Sequence, residues 1–179
     1  HYGAEHLGMS VIPVSGGLTE RQVMLLQDFG AEVISCTPSY ALVLADAIRK
    51  ADPALSTIRL KYAVLGAEPW TESIRKEVET ALQVTATNIY GLSEIIGPGV
   101  SQEDHEEKNG SHIWEDHFFP EVIDPETMQP LPEGKDGVLV FTTLTRTGMP
   151  LMRYVTNDIC CLFYDSASKR THIKMSNIR

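Results

Sequence analysis

The chain has 179 residues, 42% hydrophobic and 22% charged, with 15 Lys and Arg against 24 Asp and Glu and a formal net charge of −9. That composition supports one domain or two small subdomains with a packed core and excludes a disordered tail. The acidic balance argues against nucleic acid held through its phosphates, and no apolar run approaches the roughly 18 residues of a membrane span.

The first half alternates strand and helix. Val11-Ile12-Pro13-Val14 reads as a short strand before the turn Ser15-Gly16-Gly17. Thr19 and Gln22 can form a capping box for a helix whose apolar face is Val23, Leu26 and Phe29 and whose stop is Gly30. Glu32 to Ser35 reads as a strand. Thr37 caps the next helix with Pro38 at its first position, Leu42, Ala45 and Ile48 form its buried stripe, and Asp52-Pro53 ends it. Ile58 to Leu65 contains a third strand. Thr71 caps a helix with the apolar face Ile74, Val78, Ala81 and Leu82, and Thr85 to Tyr90 is a fourth strand. Strands separated by helices predict a parallel βαβ sheet, whose ligands bind beyond the carboxyl ends of the strands. The loops that matter are then Gly66–Trp70 and Gly91–Gly99.

The second half reads as short strands over His112–Glu115, Phe118–Asp124, Gly137–Leu144, Pro150–Tyr154 and Ile159–Tyr164, divided by turn signals such as Asp124-Pro125 and Pro132-Glu133-Gly134. The expected class is therefore α/β. A parallel βαβ subdomain over residues 1–101 is followed by a small, mostly-β, barrel-like or distorted-sheet subdomain over 102–179, with the boundary near the polar stretch Gln102–Gly110. Cys36, Cys160 and Cys161 lack the spacing of a disulfide framework and read as thiols. This fits the cytoplasm, and no signal peptide is visible.

Three segments carry groups suited to chemistry. Asn88-Ile89-Tyr90-Gly91-Leu92-Ser93-Glu94 runs off a strand end and offers a flat ring for a base, a glycine for close approach, a hydroxyl for a phosphate and a hard oxygen ligand for Mg²⁺. The alternative is an ordinary strand end with a solvated Glu. Gly66-Ala67-Glu68-Pro69 either makes room for a flat ring or is simply a tight strand-to-helix turn. In Arg153-Tyr154-Val155-Thr156-Asn157-Asp158, the final carboxylate either accepts from a ribose diol or is a surface hairpin carboxylate.

Tyr-Gly-x-Ser-Glu followed further along by Tyr-x-Thr-x-Asp is similar to the pattern of adenylate-forming acyl-CoA ligases. Gly66-Ala67-Glu68-Pro69-Trp70, Gly97-Pro98-Gly99, His112-Ile113-Trp114-Glu115-Asp116-His117-Phe118 and Gly148-Met149-Pro150-Leu151 resemble the phenylacetate–CoA ligases in particular, and the likeness covers essentially the whole chain. The resemblance implies ATP, Mg²⁺ and coenzyme A, a phenylacetate or similar aryl-acid substrate, an aryl-acyl-adenylate intermediate and a possible homodimer. By motif position, Tyr90 stacks on adenine, bordered by Asn88, Ile89, Gly91 and Gly66, Ala67, Glu68 and Pro69. Ser93 meets the α-phosphate, Glu94 binds Mg²⁺ and Asp158 holds the ribose. Ala67, Ile89, Gly91 and Pro98 line the aryl pocket.

Other family members leave further readings open: a different aryl acid or acceptor, or a nucleotide-binding module without activity. On fold grounds alone, a flavodoxin-like binding domain is also open. Some relatives hold a structural zinc with a Cys-x-Cys before Arg-Thr-His. Here Ser166-Ala167-Ser168 precedes Arg170-Thr171-His172, and His105 and His112 do not close a tetrahedral site, so structural zinc is not expected. The family's phosphate loop lies upstream of the matched stretch, and its lysine-bearing C-terminal domain follows a hinge just after the position of Arg179. The isolated 179-residue chain is therefore expected to show no complete turnover with ATP, phenylacetate and CoA. Thioester formation by this purified chain alone would contradict that expectation.

Overall fold

A computed structural model describes residues 1–14 and 16–176. Ser15 of the expected turn and Arg179 at the expected hinge lie outside the described residues. Among the described residues the elements in chain order are α1 (Tyr2–His6), α2 (Thr19–Phe29), β1 (Val33–Cys36), α3 (Pro38–Ala51), β2 (Tyr62–Gly66), α4 (Glu72–Leu82), β3 (Thr85–Leu92), β4 (Ile96–Glu103), β5 (Ser111–Ile113), β6 (Phe118–Ile123), β7 (Gly137–Thr143), β8 (Tyr154–Asp165) and β9 (Arg170–Met175). No helix among them is long and apolar enough to cross a membrane.

The α/β class holds. β1, β2 and β3 are parallel, and from β3 onward every neighbouring pair is antiparallel. The two parts share one open nine-stranded sheet in the order β1-β2-β3-β4-β5-β9-β8-β7-β6, so the second half is an open ladder ending at β6, whose end pairs with the segment 129–131. The seam between the two parts is the β3–β4 hairpin, and the polar stretch after Glu103 is the connection from β4 to β5. The apolar interior divides on either side of this seam. Leu44, Ile48, Ala63, Leu65, Val78 and Ala86 pack the helices onto the parallel strands. Val100, Ile113, Leu139, Phe141 and Ile173 fill the antiparallel part.

Local chemistry explains most elements. Thr37 Oγ1 accepts from Tyr40 N at 3.3 Å with Pro38 at the first helical position, and Thr71 Oγ1 accepts from Ile74 N at 3.4 Å. Four expectations need correction. Val11–Val14 forms no strand, as Pro13 lacks an amide to donate to a ladder. The cap of α2 is Leu18 in the left-handed region, and Gln22 reaches back to Gly17 O at 3.2 Å, so Thr19 and Gln22 form no capping box. Phe29 is exposed at the end of α2 rather than buried. Pro150–Arg153 lies outside any strand, its Leu151 instead exchanging hydrogen bonds with Thr143. Two strands went unanticipated: β4, which contains Gly97-Pro98-Gly99, and β9.

The seam is held by a buried ion pair. Arg75 of α4 donates to Glu103 of β4 through Nη1 at 2.8 Å and Nη2 at 2.9 Å, and both side chains are nearly solvent-free. Arg75 Nη1 also donates to Ala86 O at 2.6 Å, its Nε to Glu72 at 2.9 Å, and Glu103 Oε2 accepts from Asn88 N at 2.9 Å. Removing one partner strands the other charge in the interior, at a cost of about 3–5 kcal/mol. Glu103→Gln is accordingly expected to lower the denaturant midpoint of the protein strongly. A midpoint unchanged from that of the parent would show that the pair does not secure the seam.

Candidate functional site

The sheet brings together two side chains separated by 68 positions. Tyr90 near the end of β3 donates its hydroxyl to Asp158 Oδ2 of β8 at 2.6 Å. A bulge explains how Asp158 gets there. Val138 of β7 faces Ile159 of β8, yet Val140 faces Val155, so three residues of β8 (156–158) oppose one of β7. Asn157 in this bulge has φ 64°, a left-handed conformation that Asn tolerates. Thr156 pins the bulge at both ends: its hydroxyl donates to Leu139 O at 3.0 Å and accepts from Asp158 N at 3.1 Å. Tyr-x-Thr-x-Asp is thus a physical unit in which the Thr aims the Asp. Burial, reinforced by the Asp158 carboxylate, raises the Tyr90 pKa well above the usual phenol value, so the hydroxyl remains a donor across the physiological range.

Beyond Tyr90 the chain turns through Ser93 and Glu94, whose side chains are exposed at the tip of the β3–β4 hairpin. Tyr90 pairs with Ser101 and Leu92 with Ile96, which leaves residues 97–100 of β4 bulging opposite Gly91. A Cβ on Gly91 would lie 2.7 Å from Ile96 O and 3.0 Å from both Gly99 N and Pro98 Cα. Gly91 and Pro98 are therefore adjacent, and the space that the missing side chain frees is taken by the returning strand. Arg146, in the loop after β7, reaches the hairpin from outside. Its Nη1 donates to Glu94 O and, at 2.8 Å, to Ile95 O. Sequence reasoning passed over Arg146, since no local pattern marks a side chain that grips carbonyls about 50 residues away.

The third segment closes the same end of the parallel strands. Gly66 is the register partner of Ile89, and a Cβ there would fall 2.2 Å from Ile89 O. Ala67 follows with φ 67° and turns the chain away. Ala67, Glu68 and Pro69 are exposed. The Glu68 carboxylate is engaged with the start of α3, accepting from Ser39 N at 3.2 Å and Ser39 Oγ at 2.9 Å. Trp70 Nε1 donates to Asn88 Oδ1 at 3.0 Å. Asn88 and Tyr90, two residues apart on β3, share one face of the sheet.

His112 and His172 are buried register partners with ring centroids 6.2 Å apart, and Ser168 Oγ lies 3.1 Å from His172 Nε2. Burial, aided by Arg170 and His172, holds His112 below the usual imidazole pKa. His105 is exposed beside Asp104 and Glu106. Among the described residues, no three His, Cys, Asp or Glu converge in a way that could hold a metal by themselves. Cys36, Cys160 and Cys161 are free thiols. Burial pushes Cys160 up to about 12, and burial with the nearby Glu68 pushes Cys36 up to about 11.

The chain is 65% identical over 179 residues to a phenylacetate–coenzyme A ligase of Thermus thermophilus, covering 99% of this chain and 40% of that protein. It is 48% identical over 179 residues to the phenylacetate–coenzyme A ligase of Escherichia coli, again covering 99% of this chain and 40% of that protein. Among solved structures, a 2-hydroxyisobutyryl-CoA ligase in complex with 2-HIB-AMP and CoA superposes with a TM-score of 0.86 at 26% identity, covering 97% of this chain and 38% of the other. The chain thus spans 40% or less of the length of these relatives. The family model described as AMP-binding enzyme matches residues 1–145, and the chain belongs to that family.

Proposed function

We propose that the full-length protein is a phenylacetate–CoA ligase. It converts ATP, an arylacetate and coenzyme A into AMP, pyrophosphate and the arylacetyl-CoA, by way of an aryl-acyl-adenylate. The observation that supports this reading is the 2.6 Å hydrogen bond between Tyr90 and Asp158, which sets a flat ring beside a carboxylate. The relatives at 48–65% identity favour an arylacetate over the smaller acid of the 26% identical structure.

In this reading Tyr90 presents its ring to adenine, and the bond to Asp158 prevents the ring from swinging away. Asp158 also accepts from the ribose hydroxyls, a carboxylate offering roughly four lone-pair sites. Asn88, Ile89, Gly91 and the Gly66–Pro69 turn border the base. Ala67, Ile89, Gly91 and Pro98 flank the aryl ring, where the abutting backbone of Gly91 and Pro98 forms a flat wall. Ser93 directs its hydroxyl to the α-phosphate.

Glu94 fits Mg²⁺, a hard cation that keeps several waters and takes one or two carboxylates plus substrate phosphates, and an exposed carboxylate on a hairpin tip supplies that kind of ligand. When bound, the ion neutralises charge on the phosphate oxygens. The residues' own work is placement: the arylacetate carboxylate attacks the α-phosphorus, pyrophosphate departs on the opposite side, and the CoA thiol then displaces AMP from the acyl carbon. Cytoplasmic location and a homodimer belong to the same reading, the latter checked by light scattering.

Pyrophosphate release by the full-length protein, measured with phenylacetate, benzoate and indoleacetate, is expected to favour phenylacetate and to depend on Mg²⁺. Glu94→Ala should slow release on the order of 100-fold or more, as loss of a metal ligand at a charge-developing centre does. An undiminished rate in that variant would remove Glu94 from the chemistry, and no release with any arylacetate would defeat the reading.

A further inference from the structure

The amide of Asn88 is held in one of its two orientations. An indole N–H can only donate, so the atom that Trp70 Nε1 meets at 3.0 Å must be the amide oxygen. Rotating the amide by half a turn would set two donors against each other. Trp70 is itself restrained: Arg75 lies over its ring at 4.6 Å, and Arg75 is fixed by Glu103, Glu72 and Ala86 O. Asn88 is gripped at its backbone as well, where N–H donates to the same Glu103 carboxylate at 2.9 Å. Glu103, Arg75, Trp70 and Asn88 thus form a closed circuit. What the circuit leaves over on Asn88 is one lone pair of Oδ1 beside two N–H donors.

That remainder is complementary to the edge of adenine, an amino donor next to a ring-nitrogen acceptor. A 6-oxopurine reverses the pattern at position 6, placing a carbonyl where the amide oxygen waits. We propose that Trp70 is a positioning residue for base selection: by denying Asn88 its second orientation, it makes the site accept a 6-aminopurine nucleotide and reject a 6-oxopurine one. This rests on the reading of the site as a nucleotide pocket. Without the indole N–H, the amide turns freely and can offer its NH₂ to the 6-oxo group.

The test compares ATP with ITP, which has a 6-oxo group and a protonated N1 in place of the 6-amino group and bare N1, in pyrophosphate release by full-length wild type and Trp70→Phe. Phe keeps an aromatic ring beneath Arg75 and removes the N–H donor. The ATP-over-ITP ratio of kcat/KM should fall by about tenfold or more in the variant, with KM for phenylacetate unchanged. A packing role would instead disturb both substrates together. An unchanged ratio, or an equal loss in KM for phenylacetate, overturns the proposal. Should Trp70→Phe not fold, Trp70→Leu, which likewise lacks the N–H donor, decides: a fallen ratio supports the proposal and an unchanged one overturns it. A wild type that releases no pyrophosphate from ATP defeats the functional reading, whereas an active wild type with an unaltered ratio in Trp70→Phe defeats only this inference.

Discussion

Arg75 and Glu103 form a two-point ion pair inside the seam between the parallel and antiparallel strands, and the arrangement around Asn88 follows from it. A buried pair of this kind is no guarantee of net stability, because desolvating two charges offsets most of their attraction. Its value here is positional. Glu103 must face α4 to meet Arg75, which sets how β4 returns along β3. Arg75, so anchored, covers Trp70, and Trp70 orients Asn88. One carboxylate on β4 therefore governs both the sheet's change of direction and the side chain beside Tyr90.

The second constraint is the pair of bulges. Antiparallel ladders left regular would carry Asp158 and the 93–94 tip wherever alternation dictated. The extra residues at 156–158 re-aim one, and those at 97–100 cover Gly91 and fold the hairpin over it. Both bulges lie where the proposed ligand would sit, in keeping with the tendency of bulges to re-aim side chains next to active sites. Arg146 then ties the hairpin to the loop after β7, so Ser93 and Glu94 are exposed but not unsupported.

α3 and α4 were legible because their signals are local: Thr37-Pro38 and Thr71 are caps whose partners lie three residues on, and both appear as read. The short α1 was not read, and the cap of α2 was misread. β1, β2 and β3 were legible to within a few residues, whereas Val11–Val14 was read as a strand and is none. β4 was hidden by Gly97-Pro98-Gly99, residues that punctuate most sequences but here build the bulge within a strand. β9 shows its alternation only once Ile173 and Met175 are known to face the core. Tyr90 and Asp158 could be paired from the resemblance alone, since nothing local in either segment points to the other. The roles of Trp70 and Arg146 were out of reach, because each acts on a partner that only the sheet topology brings near. Gly91 also serves the fold, because its missing side chain makes room for β4.

In the proposed site one nucleotide touches both the ring of Tyr90 and the carboxylate of Asp158, and a crystal structure of the full-length protein with phenylacetyl-AMP tests this. Adenine is expected to lie on the Tyr90 ring, with the ribose hydroxyls on Asp158 and the Tyr90–Asp158 hydrogen bond retained. Adenine lodged against another surface, with Asp158 out of reach of the sugar, would contradict it.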